Sequence, residues 1–134
     1  MGIMNRQTKS FLISRFREMG ITPATRHGQN FLIDLNLHRL LIDSAELTKD
    51  DVVLEVGTGT GALTTEMARR AGGVVTVEID SHLYELASEE LFEYRHVTML
   101  NFDALHNKNA FDQRVIDAVG EKLAEAPGRK FKLV

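Results

Sequence analysis

The stretch Glu55-Val56-Gly57-Thr58-Gly59-Thr60-Gly61 concentrates the residues most able to do chemistry. It joins the apolar run Val52–Val56 to a helical pattern from about Ala62 to Arg70, the setting in which a glycine-rich turn has meaning. Glycines there permit positive φ and let a ligand come close to the backbone. About 20 residues further on, Glu78 closes a second apolar run, where a carboxylate can accept hydrogen bonds from both hydroxyls of a ribose. Loop and acid together point to a cofactor that contains a nucleoside.

Two cofactor classes remain open on these residues. Gly57-Thr58-Gly59-Thr60-Gly61-Ala62 also satisfies the dinucleotide pattern G-x-G-x-x-G/A, which would seat a pyrophosphate on the following helix N-terminus. Against this, Glu55 stands two residues before the first glycine, beside where a methionine ammonium can lie. Asp103, expected to close a third strand, can accept from an adenine amino group. Singly, each acid reads as a solvated loop carboxylate or a helix cap. Placed at three successive strand ends, they favour S-adenosylmethionine.

The elements that must position these groups are legible in the hydrophobic pattern. Val52–Val56, Val74–Glu78 and Val97–Leu100 are short apolar, β-branched runs, as expected of strands buried on both faces. Between and after them lie helical stretches at Ala62–Arg70, Ser81–Phe92 (with Ser81 as cap) and Phe111–Ala124. Pro127-Gly128 breaks the chain, and Phe131–Val134 begins a fourth strand. This alternation predicts an α/β fold with a parallel sheet and flanking helices. Ahead of it, Gln7–Met19 reads as a helix stopped by Gly20, Ile21–Gly28 as a connector containing Pro23, and Asp34 as the cap of a helix running to about Ala45. Its apolar positions include Leu37, Leu40, Leu41 and Ile42. The expected division is a helical extension over 1–45 and a nucleoside-binding domain over 46–134.

Charge is unevenly spread. Residues 1–39 carry Arg6, Lys9, Arg15, Arg17, Arg26 and Arg39 against Glu18 and Asp34, a net +4, so the remainder must carry -7 to reach the total of -3. Arg6, Lys9, Arg15 and Arg17 form a basic arm that can face phosphates, although an amphipathic, solvated helix explains the same residues. The absence of cysteine excludes disulfides and thiolate metal sites. His27, His38, His82, His96 and His106 show no metal-ligand spacing and read as surface or packing residues. No apolar run approaches the roughly 20 residues that span a bilayer. Met1–Ser10 has no apolar core of the secretory kind, so a cytoplasmic location is expected.

Gly28-Gln29-Asn30-Phe31-Leu32, followed by Glu55–Gly61, Val77-Glu78-Ile79-Asp80 and Asp103-Ala104-Leu105 in that order, resembles the ribosomal RNA adenine N6,N6-dimethyltransferases. The resemblance runs from about Thr8 to Val134 and implies a Rossmann-like class I methyltransferase fold. It implies that Asn30 and Leu32 border S-adenosylmethionine, that Gly57 meets its methionine part, that Glu78 holds the ribose and that Asp103 reads the adenine. Glu55, Gly59 and Ala104 are further expected cofactor positions. The implied activity is methyl transfer to N6 of adjacent adenosines in small-subunit ribosomal RNA, with that RNA or its precursor particle as partner and no metal. Phe102 departs from the family, which usually has a small or polar residue there. In the family, the strand corresponding to Lys132-Leu133-Val134 runs on into a catalytic Asn-x-Pro-aromatic motif. The chain is therefore expected to be the truncated, cofactor-binding front part of such an enzyme, inactive alone and with no catalytic residue of its own. A large-subunit RNA methyltransferase of the antibiotic-resistance type, a non-catalytic RNA-binding assembly factor and an NAD-dependent oxidoreductase are the alternatives.

Overall fold

The structure, a computed structural model, describes residues 35–134, with side chains from residue 40 onward. The expected helix Gln7–Met19, the Gly28–Leu32 segment, the basic arm and the Asp34 cap lie outside the described residues. The elements are α1 (Leu35–Ala45), β1 (Asp51–Val56), α2 (Ala62–Arg70), β2 (Gly73–Val77), α3 (Ser81–Leu91), β3 (Val97–Leu100), β4 (Leu105–Asn107), β5 (Ala110–Phe111), α4 (Gln113–Ala124) and β6 (Lys130–Leu133).

Four strands form one parallel sheet in the order β3-β2-β1-β6. The core shows why the strands are apolar throughout. Strand side chains alternate between faces, so Val52 and Leu54 join Val75 and Val77 under Val115 and Val119 of α4. Val53 and Val74 point the other way, onto Met67 and Ala68 of α2 and Ile42 of α1. With helices on both faces, no strand position of β1 before Val56 is exposed to water. Leu40 and Leu41, expected on the apolar face of α1, are 61% and 37% exposed. Among the described residues that helix meets the sheet through Ile42.

A polar clasp fixes the sheet end opposite the glycine loop. The Lys132 ammonium donates to the carbonyls of Ala45 (2.9 Å) and Glu46 (3.1 Å) and sits 3.2 Å from the Asp51 carboxylate. These are carbonyls that a helix C-terminus leaves without intrahelical partners, and a cation there also meets the negative end of the helix dipole. Burial alone would raise the Asp51 pKa, but the Thr48 amide and Lys132 outweigh it and hold the carboxyl below its usual range.

Two helix starts differ from expectation. Asp80 caps α3, its Oδ1 accepting from the amides of His82 (2.9 Å) and Leu83 (3.0 Å), so Ser81 is the first helical residue and not the cap. Helix α4 begins at Gln113 with Asp112 as its cap, because Phe111 pairs with Leu105 in an antiparallel hairpin. Asn107 turns that hairpin by accepting from the Asn109 amide at 2.8 Å, a side-chain substitute for a backbone turn bond. Arg114 then grips Asp112 through Nε and Nη2, both at 2.9 Å, and its guanidinium stacks 3.7 Å from the centre of the Phe102 ring. The departure at Phe102 therefore has a structural role, as the platform for the arginine that steadies the start of α4.

Candidate cofactor site

The carboxyl ends of β1, β2 and β3 converge on one side of the sheet, where ligands of open α/β folds bind. The loop after β1 has Gly57, Gly59 and Gly61 at φ 93°, 57° and 87°. A left-handed conformation is costly for residues that carry a Cβ, so glycine at the first two positions follows from backbone shape. A Cβ added at Gly57 or Gly59 would meet nothing within 4 Å, which leaves that face of the loop open to a ligand. At Gly61 packing adds to the same backbone reason, since a Cβ would lie 3.3 Å from that of Ala87 on α3. The loop is tied to β2 by the Gly57 and Thr58 amides, which donate to the Val77 carbonyl at 2.7 and 3.3 Å.

Glu78 follows β2 directly and is only 6% exposed. Its Oε1 accepts from the Gly59 amide at 2.8 Å and its Oε2 from the Asp80 amide at 3.0 Å. The Glu78 backbone is pinned as well, donating to Leu100 and accepting from the Asn101 side chain at 2.7 Å. A carboxylate oxygen offers about two acceptor positions. Among the described residues each oxygen of Glu78 thus retains one, and the two together match a vicinal diol. Asn101 carries little in the sequence to mark it. An amide side chain one residue beyond a strand end was the available signal, a weak one because such residues more often make turns.

The other expected site residues are placed less uniformly. Asp103 does not close β3, which ends at Leu100. It lies exposed in the loop beyond, with Oδ1 accepting from the Leu105 amide at 3.0 Å as the chain turns into the hairpin. Ala104 is buried in the core under α4, and its carbonyl accepts from the Asp112 amide. Glu55 is 4% exposed and turned beneath the loop, where its Oε1 accepts from the hydroxyls of Thr64 and Thr76. Burial pushes its pKa up to about 7, against the pull of the two hydroxyls and with a further push from the charge of Glu78. Val56, expected in a strand buried on both faces, is 49% exposed at the strand's end, and Ile79 beside Glu78 is 64% exposed. Their signal was an aliphatic residue beside a site acid. Asn30 and Leu32 lie outside the described residues.

Among the described residues no group of histidines, cysteines and acids could hold a metal ion, and no helix is long and apolar enough to cross a membrane. His82 and His106 are exposed, while His96 packs at the edge of Tyr94 and bonds the Ala68 carbonyl through Nε2.

Known proteins resemble this chain over most of its length. The chain is 40% identical over 114 residues to the ribosomal RNA small subunit methyltransferase A of Moorella thermoacetica, covering 85% of this chain and 39% of that protein. It is 43% identical over 121 residues to the same enzyme of Pelotomaculum thermopropionicum, covering 88% and 39%. The chain thus spans about two fifths of the length of these curated relatives. Among solved structures, the 23S rRNA methyltransferase ErmE superposes with a TM-score of 0.54 at 31% identity, covering 75% of this chain and 45% of that one. A dimethyladenosine transferase from Plasmodium falciparum shares the fold, with a TM-score of 0.56 at 23% identity and coverage of 78% and 42%. The family model for ribosomal RNA adenine dimethylase matches residues 22–133. The sheet flanked by helices is accordingly that of the class I methyltransferases, and the chain belongs to the ribosomal RNA adenine dimethylase family.

Proposed function

We propose that this chain binds S-adenosylmethionine across the carboxyl ends of β1, β2 and β3, and that the whole protein methylates N6 of adjacent adenosines in small-subunit ribosomal RNA. The observation that carries the reading is Glu78. It is a buried carboxylate, held by the Gly59 and Asp80 amides, with one acceptor position left on each oxygen beside a loop whose outer face is open. That donor set fits a ribose diol. Gly57 and Gly59 leave room for the methionine part, Val56 and Ile79 offer aliphatic surface to a purine, and Asp103 retains acceptor capacity for its amino group. Asn30 and Leu32 join the site on the strength of the family resemblance.

When bound, the cofactor supplies a sulfonium-activated methyl group. What these residues do is hold it by its ribose, adenine and methionine parts, so that the reacting partners meet at high effective concentration. Calorimetric titration with S-adenosylmethionine, with NADH as comparison ligand, tests the pocket. Binding of the methyl donor alone is expected. Preference for NADH, or silence from both in folded protein, overturns the reading.

The RNA side of the proposal rests on Arg6, Lys9, Arg15 and Arg17, whose charges suit phosphate contacts. Removing residues 1–20 from the whole protein should weaken RNA binding and flatten its dependence on salt, by about one unit of slope per lost contact. An unchanged slope returns the segment to packing. The similarity to ErmE at 31% identity favours large-subunit RNA as the second reading. Methylation assays on small-subunit and large-subunit particles in parallel distinguish the two.

A further inference from the structure

Beneath the glycine loop lies a chain of buried hydroxyls that the fold does not require. Thr76 is the one polar residue in the strand Gly73-Val74-Val75-Thr76-Val77 and is fully buried. Valine has the same shape and suits a strand equally well, so a hydroxyl there carries a desolvation cost unless it is partnered. Its partners are specific. Thr76 Oγ1 donates to Glu55 Oε1 at 2.7 Å and lies 2.6 Å from Thr58 Oγ1. A hydroxyl has a single proton. With that of Thr76 directed to Glu55, the proton between the two threonines must come from Thr58. The result is a directed chain from the loop (Thr58) through β2 (Thr76) to β1 (Glu55), where Thr64 of α2 donates to the same carboxylate oxygen.

Thr58 sits between Gly57 and Gly59, the two residues whose left-handed backbone shapes the open face of the loop. Glycines leave that backbone free to sample other conformations, so its shape must be fixed from outside. Besides the backbone bonds from the Gly57 and Thr58 amides to Val77, two side-chain ties do this: the Gly59 amide to Glu78, and the Thr58 hydroxyl to Thr76. We propose that Thr76 is a positioning residue for the cofactor, its hydroxyl linking Thr58 to Glu55 so that the Gly57–Gly59 backbone is held in its receiving shape. This rests on the reading of the loop as the S-adenosylmethionine site.

The test compares Thr76→Val and Thr76→Ser in the full chain, by amide hydrogen exchange without ligand and by calorimetric titration with S-adenosylmethionine. Thr76→Val should raise exchange at the amides of residues 57–61 about tenfold relative to core amides such as those of Val53 and Val75. It should weaken cofactor binding by about tenfold, the effect of losing one buried hydrogen bond. Thr76→Ser keeps the hydroxyl and should restore both. Unchanged loop exchange in Thr76→Val, or the same losses in Thr76→Ser, overturns the proposal. Should Thr76→Val fail to fold, Thr58→Val cuts the same link while leaving Glu55 both donors, and must loosen the loop equally. If the unsubstituted chain binds no S-adenosylmethionine, the reading of the site fails, and the loop exchange still decides the role of Thr76.

Discussion

Replacing Glu78 with glutamine is expected to weaken S-adenosylmethionine binding about a hundredfold or more. Hydrogen bonds to a charged group contribute roughly 1.5–3 kcal/mol each, and a ribose diol would make two with this carboxylate. Every 1.4 kcal/mol is about tenfold in affinity, so losing even the weaker limit of both reaches that factor. Glutamine also brings a structural conflict. Both carboxylate oxygens already accept backbone amides, from Gly59 and from Asp80. A glutamine has one acceptor oxygen and one NH2 group, so one of those amides must face another donor. Glu78→Asp, which keeps the charge and shortens the reach, should fall between the two. Titration calorimetry on proteins of matched circular dichroism reads the result. Binding of Glu78→Gln within about threefold of the parent, a difference of less than about 1 kcal/mol, would remove Glu78 from the site.

That residue is the part of the candidate site most legible in the sequence, for a physical reason. A carboxylate ending a β-branched run, about 20 residues past a glycine loop, is a local pattern on one strand, and the strand's burial on both faces makes its end easy to locate. The same logic exposed the sheet, since Val52, Val53 and Leu54 are apolar in sequence because helices cover both sides. What stayed hidden depended on contacts between elements or on very short ones. The hairpin Leu105–Phe111 has too few residues for any periodicity, and it moved the start of α4 from Phe111 to Gln113. Asp80 and Ser81 are both good caps, and only the extended backbone of Asp80, with its carboxylate on the His82 and Leu83 amides, separates them. Asp103 was expected on a strand end but lies beyond it, because β3 stops at Leu100. Glu55 misled most. An acid just before the loop reads as a ligand-facing group, yet Thr64 and Thr76 draw it underneath, and nothing in their spacing announces that the three meet.

The buried position of Glu55 has a measurable consequence for stability. Burial raises its pKa from an ordinary 4.5 to about 7, with Glu78 adding to the rise while the hydroxyls of Thr64 and Thr76 oppose it. Between those two values the folded chain holds a proton that the unfolded chain has released. The stabilisation is therefore fully present below about pH 4.5 and is lost as pH rises through 7. A shift of this size corresponds to on the order of 3 kcal/mol. Glu55→Gln carries no titrating proton, and its oxygen can still accept from both threonines, so its stability should lack this component. Urea unfolding of parent and variant at pH 5 and pH 8 isolates the effect, because the remaining carboxylates are common to both. The variant should gain on the parent by about 3 kcal/mol between the two pH values. A difference that stays constant within about 0.5 kcal/mol would mean that Glu55 titrates normally. The two acids are also coupled. Removing the charge of Glu78 takes away one contribution to the raised pKa of Glu55, so in the Glu78→Gln protein the fall in stability should begin at the same pH, set by the unfolded chain, and end at lower pH. A fall that ends at unchanged pH would show that burial and the threonine hydroxyls alone set the titration of Glu55.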